Sequence, residues 1–157
     1  DDPRVVLVND YHHRQDEIGQ QVVVLGGGLA GCELAIHFAR QQRTVHLVEM
    51  NSELSPDANI RHRPQLLAEI AKQGIQVHCR HKAVEVGSDG VWCLDEAGQR
   101  VLIPGQNVVC ALGQRSRRAM VDELLDAAPL VSQIGDCVKV STITTAVYQG
   151  HHAALDI

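Results

Sequence analysis

Val22-Val23-Val24-Leu25-Gly26-Gly27-Gly28-Leu29-Ala30-Gly31-Cys32-Glu33 runs four apolar residues straight into three glycines and out into a helical pattern. A second apolar run, Val45-His46-Leu47-Val48, ends on Glu49. Together they predict a strand, a tight turn, a helix and a second strand closed by an acid, the arrangement that grips a dinucleotide. Each residue type has its own task. Gly26 ends the strand with backbone angles that a Cβ would block. Gly28 lets the main chain come close to a pyrophosphate, and Gly31 lets the helix pack tightly on the strand. The helix starts at about Gly28, so its unpaired N–H groups and positive dipole end face the phosphates, a contribution of about 0.3–1 kcal/mol.

Glu49 lies 18 residues after Gly31, near the spacing of a ribose-binding acid. Its carboxylate is expected to accept hydrogen bonds from the adenosine ribose hydroxyls. It would also repel a 2′-phosphate, which favours NADH over NADPH. The glycine spacing alone has little specificity. The strand before it, the helix after it and the acid at the end of the next strand give it weight. The competing reading is a glycine-rich turn in an unrelated α/β domain, with Glu49 an ordinary exposed acid.

Working outward, Val5-Val6-Leu7-Val8 reads as a lead-in strand, and the polar stretch ending at Gly19 as a linker. Leu29, Leu34, Ala35, Phe38 and Ala39 recur at helical spacing over about 28–41, and the second strand covers about 44–49. After a loop over 51–61, a second helix is expected at about 62–73. Pro64 sits in its first turn, Leu66, Leu67 and Ile70 form its apolar face, and Gly74 stops it. Ile75–Cys79 is a third strand. Short strands at about 82–87, 90–95 and 99–103 follow, joined by the hairpin loops Ser88-Asp89-Gly90 and Glu96-Ala97-Gly98. Asn107–Ala111 returns as a buried strand. The expected fold is α/β, a Rossmann-like parallel sheet with helices on one face and a three-stranded antiparallel meander on the other. Three segments are expected: a lead-in over 1–20, a nucleotide-binding domain over 21–128 and a C-terminal piece over 129–157.

The chain has 157 residues, enough for one domain or one domain and part of another. Its 14 basic and 19 acidic residues give a formal charge of −5, which argues against a nucleic-acid partner. Arg115, Arg117 and Arg118 read as a solvated loop. No run of 18 apolar residues occurs, so no membrane span is expected. Cys32, Cys79, Cys93, Cys110 and Cys137 are odd in number and form no CxxC pair. That suits buried free thiols in a reducing cytoplasm, with no iron–sulfur or zinc ligand set. Among nine histidines, the pairs His12-His13 and His151-His152 read as surface residues, and no metal ligand is assigned. Tyr148 and Trp92 read as core or half-buried packing, and Cys137 as a small buried residue. The chain starts Asp1-Asp2-Pro3 without methionine and ends inside a helical pattern, so a fragment of a longer polypeptide is expected.

GGGLAGCELA followed by VHLVEM resembles the NADH-binding domain of two-dinucleotide flavoprotein reductases, in which an NAD domain is inserted into an FAD domain. Glu33 matches a glutamate frequent in those NAD domains, which implies a position near the nicotinamide. Val109-Cys110-Ala111-Leu112-Gly113-Gln114-Arg115 resembles the second nucleotide motif of that family, with Leu112 where many relatives carry threonine. Ser132-Gln133-Ile134-Gly135-Asp136-Cys137 resembles the late FAD motif, which implies that Asp136 bonds a ribityl hydroxyl of the flavin. The IGDC segment and the lead-in Glu17–Gln21 look most like the C-terminal region of old-yellow-enzyme-type NADH:flavin oxidoreductases, a group with 2-enoate reductase, 2,4-dienoyl-CoA reductase and trimethylamine dehydrogenase relatives. The resemblance covers about residues 17–157.

What the resemblance implies is an NADH-binding module whose cofactor-binding residues are Gly26, Gly28, Leu29, Ala30, Gly31, Glu33, Glu49, Met50, Ala111, Leu112, Gly113 and Asp136, with no catalytic side chain. FAD, and in that group FMN and an iron–sulfur cluster, would belong to the parent protein, whose missing domains are the expected partners, with an oligomer open. Hydride would pass from NADH to FAD, and this piece alone would catalyse nothing. Two other readings stand beside it: a piece of a soluble NADH oxidase or disulfide reductase, and a domain that holds ADP or another nucleotide only structurally. If the fragment reading holds, the segment from about 130 should expose apolar surface, be poorly ordered or make a dimer contact.

Overall fold

Val22, Val23, Val24 and Leu25 are all buried, but successive side chains face opposite ways. Val22 and Val24 pack among Cys32, Ala35, Phe38, Leu66 and Ile70, whereas Val23 and Leu25 pack with Val91, Cys93 and Ile103. A strand covered on both faces has no polar side to alternate with, so it reads as an unbroken apolar run.

The structure, a computed structural model, describes residues 2–155. Asp1, Asp156 and Ile157, at the outer ends of the expected first and last segments, lie outside the described residues. The chain divides into two compact units after Gly113, ahead of the boundary expected after residue 128. The first unit runs β1 (Val5–Leu7), α1 (Tyr11–Arg14), β2 (Gln21–Leu25), α2 (Leu29–Arg40), β3 (Thr44–Val48), α3 (Arg63–Lys72), β4 (Gln76–His78), β5 (Lys82–Gly87), β6 (Gly90–Leu94), β7 (Arg100–Pro104) and β8 (Asn107–Cys110). Five strands form a parallel sheet in the order β1-β8-β2-β3-β4. Helices α2 and α3 cover one face. The antiparallel meander β5-β6-β7 covers the other. This is the α/β arrangement expected from the sequence.

Local chemistry accounts for the elements. On α2, Cys32, Ala35, Ile36 and Phe38 are buried at helical spacing, while Glu33 and His37 are exposed. α3 buries Leu66 and Ile70 with Pro64 in its first turn, and Gly74 beyond its end takes φ +68°, the left-handed stop that glycine supplies without strain. In the β6–β7 loop the Asp95 carboxylate accepts the amides of Ala97 and Gln99 at 2.9 and 2.8 Å. Trp92 is half-buried, with the Arg100 guanidinium 5.0 Å over its ring.

The lead-in departs from the expected linker. β1 pairs in parallel with β8 and so becomes an edge of the main sheet. The segment after it folds into α1 and a 3₁₀ turn at Gln15–Glu17. Tyr11 is the reason: it is 4% exposed, meets Phe38 edge-on at 5.1 Å and shares a 3.0 Å hydrogen bond with His37 Nε2. Arg14 fastens the turn by donating to the carbonyls of Val5 and Pro3 and pairing with Glu17.

The second unit contains α4 (Arg118–Asp122), a 3₁₀ turn at Gly135–Cys137 and α5 (Ile143–Leu155). Arg118, expected in a solvated loop, lies at the start of α4 and donates to the Val138 carbonyl at 3.0 Å. The Gly135 amide donates to Gln149 Oε1 at 2.6 Å. No α5 residue is buried. Ile143, Val147 and Leu155 are exposed on it, and so is Tyr148, whose ring lies 4.0 Å from that of His152; the expectation of core or half-buried packing for Tyr148 is therefore corrected. Cys137 is part-exposed rather than buried, as are Cys79 and Cys110, whereas Cys32 and Cys93 are buried; all five thiols are free. No helix among the described residues is long and apolar enough to cross a membrane.

Candidate functional site

The carboxyl ends of β2, β3 and β8 converge on a cleft of about 440 Å³. Open parallel sheets bind ligands at such an edge, where strand order reverses, and the volume lies in the range of small-molecule sites, about 300–1,000 Å³. Gly26, Gly28, Glu49, Met50, Ala111, Leu112 and Gly113 line it, joined by Asn51, His81, Lys82 and Ala83.

The glycines of the turn divide by function. Gly26 has φ +104°, and a Cβ there would lie 2.8 Å from the Ala111 carbonyl carbon. A Cβ on Gly31 would run into the Gly26 carbonyl oxygen, so helix and turn touch backbone to backbone. Both glycines are demanded by the protein's own packing. Gly28 differs: nothing lies within 4 Å of where its Cβ would be. Its φ of −68° suits any residue, so the missing side chain leaves open cleft rather than relieving a clash. Gly28 is also the N-cap of α2, its carbonyl accepting the Cys32 amide at 3.0 Å. The amides of the first turn of α2 have no carbonyl ahead of them in the helix. A bare backbone, free helical amides and open space together fit a diphosphate.

Gly27 is held on both sides. Its N–H donates to Glu49 Oε2 at 2.6 Å. Its carbonyl accepts the Ser55 amide at 2.8 Å, the Ser55 hydroxyl at 3.2 Å and the Cys32 thiol at 3.3 Å. Burial pushes the Cys32 thiol above its ordinary range, which keeps it a neutral donor. The other oxygen of Glu49 accepts the Asn51 amide at 2.7 Å and the Asn51 side chain at 2.8 Å. Glu49 is 9% exposed. A carboxylate carries about four acceptor sites, of which three take protein donors and the fourth, on Oε2, takes none among the described residues.

Three histidines lead away from the rim. His46 Nδ1 and His78 Nε2 are 3.0 Å apart with their rings stacked, and His81, which lines the cleft, meets His78 edge-on. Burial pushes His46 and His78 below the ordinary imidazole range, and for His78 the neighbouring His46 and His81 add to this.

Residues 5–150 match the family described as pyridine nucleotide-disulphide oxidoreductase. The chain belongs to that family. An NADH oxidase of Thermoanaerobacter brockii is 32% identical over 143 residues, covering 88% of this chain and 21% of that protein. A cinnamate reductase of Clostridium sporogenes is 26% identical over 98% of this chain and 24% of its own length. The solved structure of a 2-naphthoyl-CoA reductase in complex with 2-naphthoyl-CoA superposes with a TM-score of 0.90 and 27% identity, covering 99% of this chain and 24% of that one. The chain thus spans about a fifth to a quarter of the length of these relatives.

Pyridine nucleotide-disulphide oxidoreductases work with FAD and a pyridine nucleotide. Leu29 and Ala30 are exposed on the first turn of α2, and Gly31 is buried beneath the Gly26 carbonyl. Glu33 does not line the cleft; it borders two shallower hollows, one with Tyr11, His12 and His37 and the other with Arg40 and His62. Asp136 belongs to the second unit, is exposed, and accepts the Ser141 amide at 3.2 Å. Asn51, Ser55, His81, Lys82 and Ala83 escaped the sequence reading. Only Asn51 carried a usable signal there, an amide two residues beyond the strand-end acid.

Proposed function

We propose that this chain is the NADH-binding part of a flavin-dependent oxidoreductase of the old-yellow-enzyme type. The single observation that carries the reading is Gly28, which opens on the cleft with no neighbour of its own while Gly26 and Gly31 are closed by backbone contacts. The amides of Leu29, Ala30 and Gly31 would face the diphosphate. The free acceptor site of Glu49 would take a ribose hydroxyl, and its negative charge would disfavour a 2′-phosphate. Met50 and Ala111–Gly113 would border the nucleotide, Glu33 would lie near the nicotinamide, and Asp136 would face the flavin.

When bound, NADH supplies a hydride from nicotinamide C4 to flavin N5. The chain's own residues bind, orient and exclude water, and none acts as acid, base or nucleophile. The FAD domain, and a barrel with FMN and an iron–sulfur cluster, belong in this reading to the rest of the same polypeptide. The five free thiols fit a reducing cytoplasm.

Fluorescence titration of the chain with NADH and NADPH tests the reading. Saturable NADH binding is expected, with NADPH weaker by about tenfold or more, a difference of about 1.4 kcal/mol. Equal affinities would overturn the role of Glu49, and no binding of either would overturn the nucleotide reading.

A further inference from the structure

Ser55 has an unusual backbone: it is 3% exposed and carries φ +45°. That is the left-handed region, where a residue with a Cβ is strained and glycine is not. Such strain persists only where the surroundings impose it. What this conformation achieves is visible in the contacts. The Ser55 amide and the Ser55 hydroxyl both reach the carbonyl oxygen of Gly27, at 2.8 and 3.2 Å. The hydroxyl also lies 3.4 Å from Cys32 Sγ, whose own thiol points at the same oxygen.

The Gly27 carbonyl belongs to the peptide that joins Gly27 to Gly28. No peptide bond in the described residues is cis, and in a trans peptide the C=O and the following N–H point in opposite directions. Drawing the Gly27 oxygen inward onto Ser55 and Cys32 therefore turns the Gly28 N–H away from them. A peptide between two glycines can rotate with little steric resistance. Rotated by half a turn, it would present a carbonyl oxygen to the cleft in place of a donor. Glu49 holds the preceding peptide through the Gly27 N–H, but it has no bond to this one.

We propose that Ser55 is a positioning residue whose hydroxyl locks the Gly27–Gly28 peptide with its N–H toward the cleft, so that the turn presents a donor and not an oxygen to an anionic diphosphate. The consequence for ligand affinity rests on the NADH reading given above; the peptide orientation itself does not.

The test separates the two. Ser55→Gly removes the hydroxyl and relieves the backbone, so its melting temperature should equal or exceed that of the parent chain. Without nucleotide, ¹⁵N relaxation dispersion should be flat at the Gly28 amide in the parent and show exchange in Ser55→Gly. With nucleotide, NADH should bind the variant about tenfold more weakly, the equivalent of one lost hydrogen bond. Ser55→Ala, which keeps the Cβ and the backbone strain and removes only the hydroxyl, is read by the Gly28 exchange and the NADH affinity. A Gly28 amide that behaves identically in parent and variants overturns the proposal whether or not NADH binds, and so does undiminished NADH affinity in Ser55→Gly. Gly28 exchange in the variants of a chain that binds no NADH would sustain the peptide lock and remove the nucleotide reading alone. A variant that weakens NADH only in proportion to a lowered melting temperature counts against the proposal, because the effect would then be general.

Discussion

Glu49 Oε2 lies 2.6 Å from the Gly27 amide nitrogen, so the acid that ends β3 is bonded to the turn that follows β2. The two strands are neighbours in register, Leu25 opposite Val48, and the contact fastens their ends together. With Asn51 on its other oxygen, Glu49 supports the cleft even before a ligand arrives.

Replacing it therefore has a stability cost separate from any effect on binding. Glu49→Ala leaves the Gly27 amide without its acceptor and should destabilise the first unit by about 1–3 kcal/mol. Glu49→Gln keeps one acceptor oxygen but turns an NH₂ group toward N–H donors, and should fall between the two. Urea unfolding followed by circular dichroism measures both. An unchanged midpoint for Glu49→Ala would show that the carboxylate does not hold the turn.

The glycines give opposite expectations. Gly31→Ala places a methyl against the Gly26 carbonyl oxygen and should cost about 1–3 kcal/mol from overpacking, or more if the backbone cannot shift. Gly28→Ala meets nothing within 4 Å, so its stability cost should stay within about 1 kcal/mol, the difference between glycine and alanine at an N-cap. NADH affinity should nevertheless fall sharply in Gly28→Ala. Paired melting curves and titrations settle the contrast, and a Gly28→Ala protein that binds as well as the parent would speak against a diphosphate at this turn.

Tyr11 ties the lead-in to α2. Tyr11→Ala removes a buried ring from against Phe38 and should destabilise by about 3–5 kcal/mol. Tyr11→Phe keeps the ring and loses only the bond to His37, a change of about 0.5–1.5 kcal/mol. Equal small effects in urea unfolding would mean that α1 contributes little to the unit.

The histidine stack makes stability depend on pH. Burial holds His46 and His78 below the ordinary imidazole value of about 6.5 in the folded chain, so the folded chain keeps them neutral while the unfolded chain takes up protons near that value. The stabilisation is fully present above about pH 6.5 and is lost as pH falls toward the folded values. The urea midpoint should therefore drop between about pH 7 and pH 5. The drop should be shallower in a His46→Gln, His78→Gln double variant. A midpoint whose pH dependence is the same in parent and double variant would contradict this.

Much of the first unit was legible because its cues are local. The apolar run before Gly26 and the periodicity of α2 and α3 each name their element within a few residues. The two-faced burial of β2, with Val22 and Val24 on one side and Val23 and Leu25 on the other, is what an uninterrupted apolar run means in a parallel sheet. Tyr11 was hidden because Asp10, His12 and His13 surround it, and only the approach of Phe38 from α2 makes it a core residue. Ser55 and His81 lie in loops without periodicity; His81 and Lys82 line the cleft because β4 delivers the chain there, and Ser55 meets the turn through the Gly27 carbonyl. α4 is a five-residue helix with no repeated apolar face to announce it.

The place of β8 in the sheet has a consequence for how the chain is made. It lies between β1 and β2, although it is the last strand of the first unit to leave a ribosome. Until residues 107–110 emerge, β1 lacks its strand partner among the described residues and the valine-rich flank of β2 stands bare, an edge apt to pair with another chain. Assembly of the unit is thus gated by a four-residue insertion that joins its earliest and latest segments, and any delay there lengthens the time during which a nascent chain can aggregate.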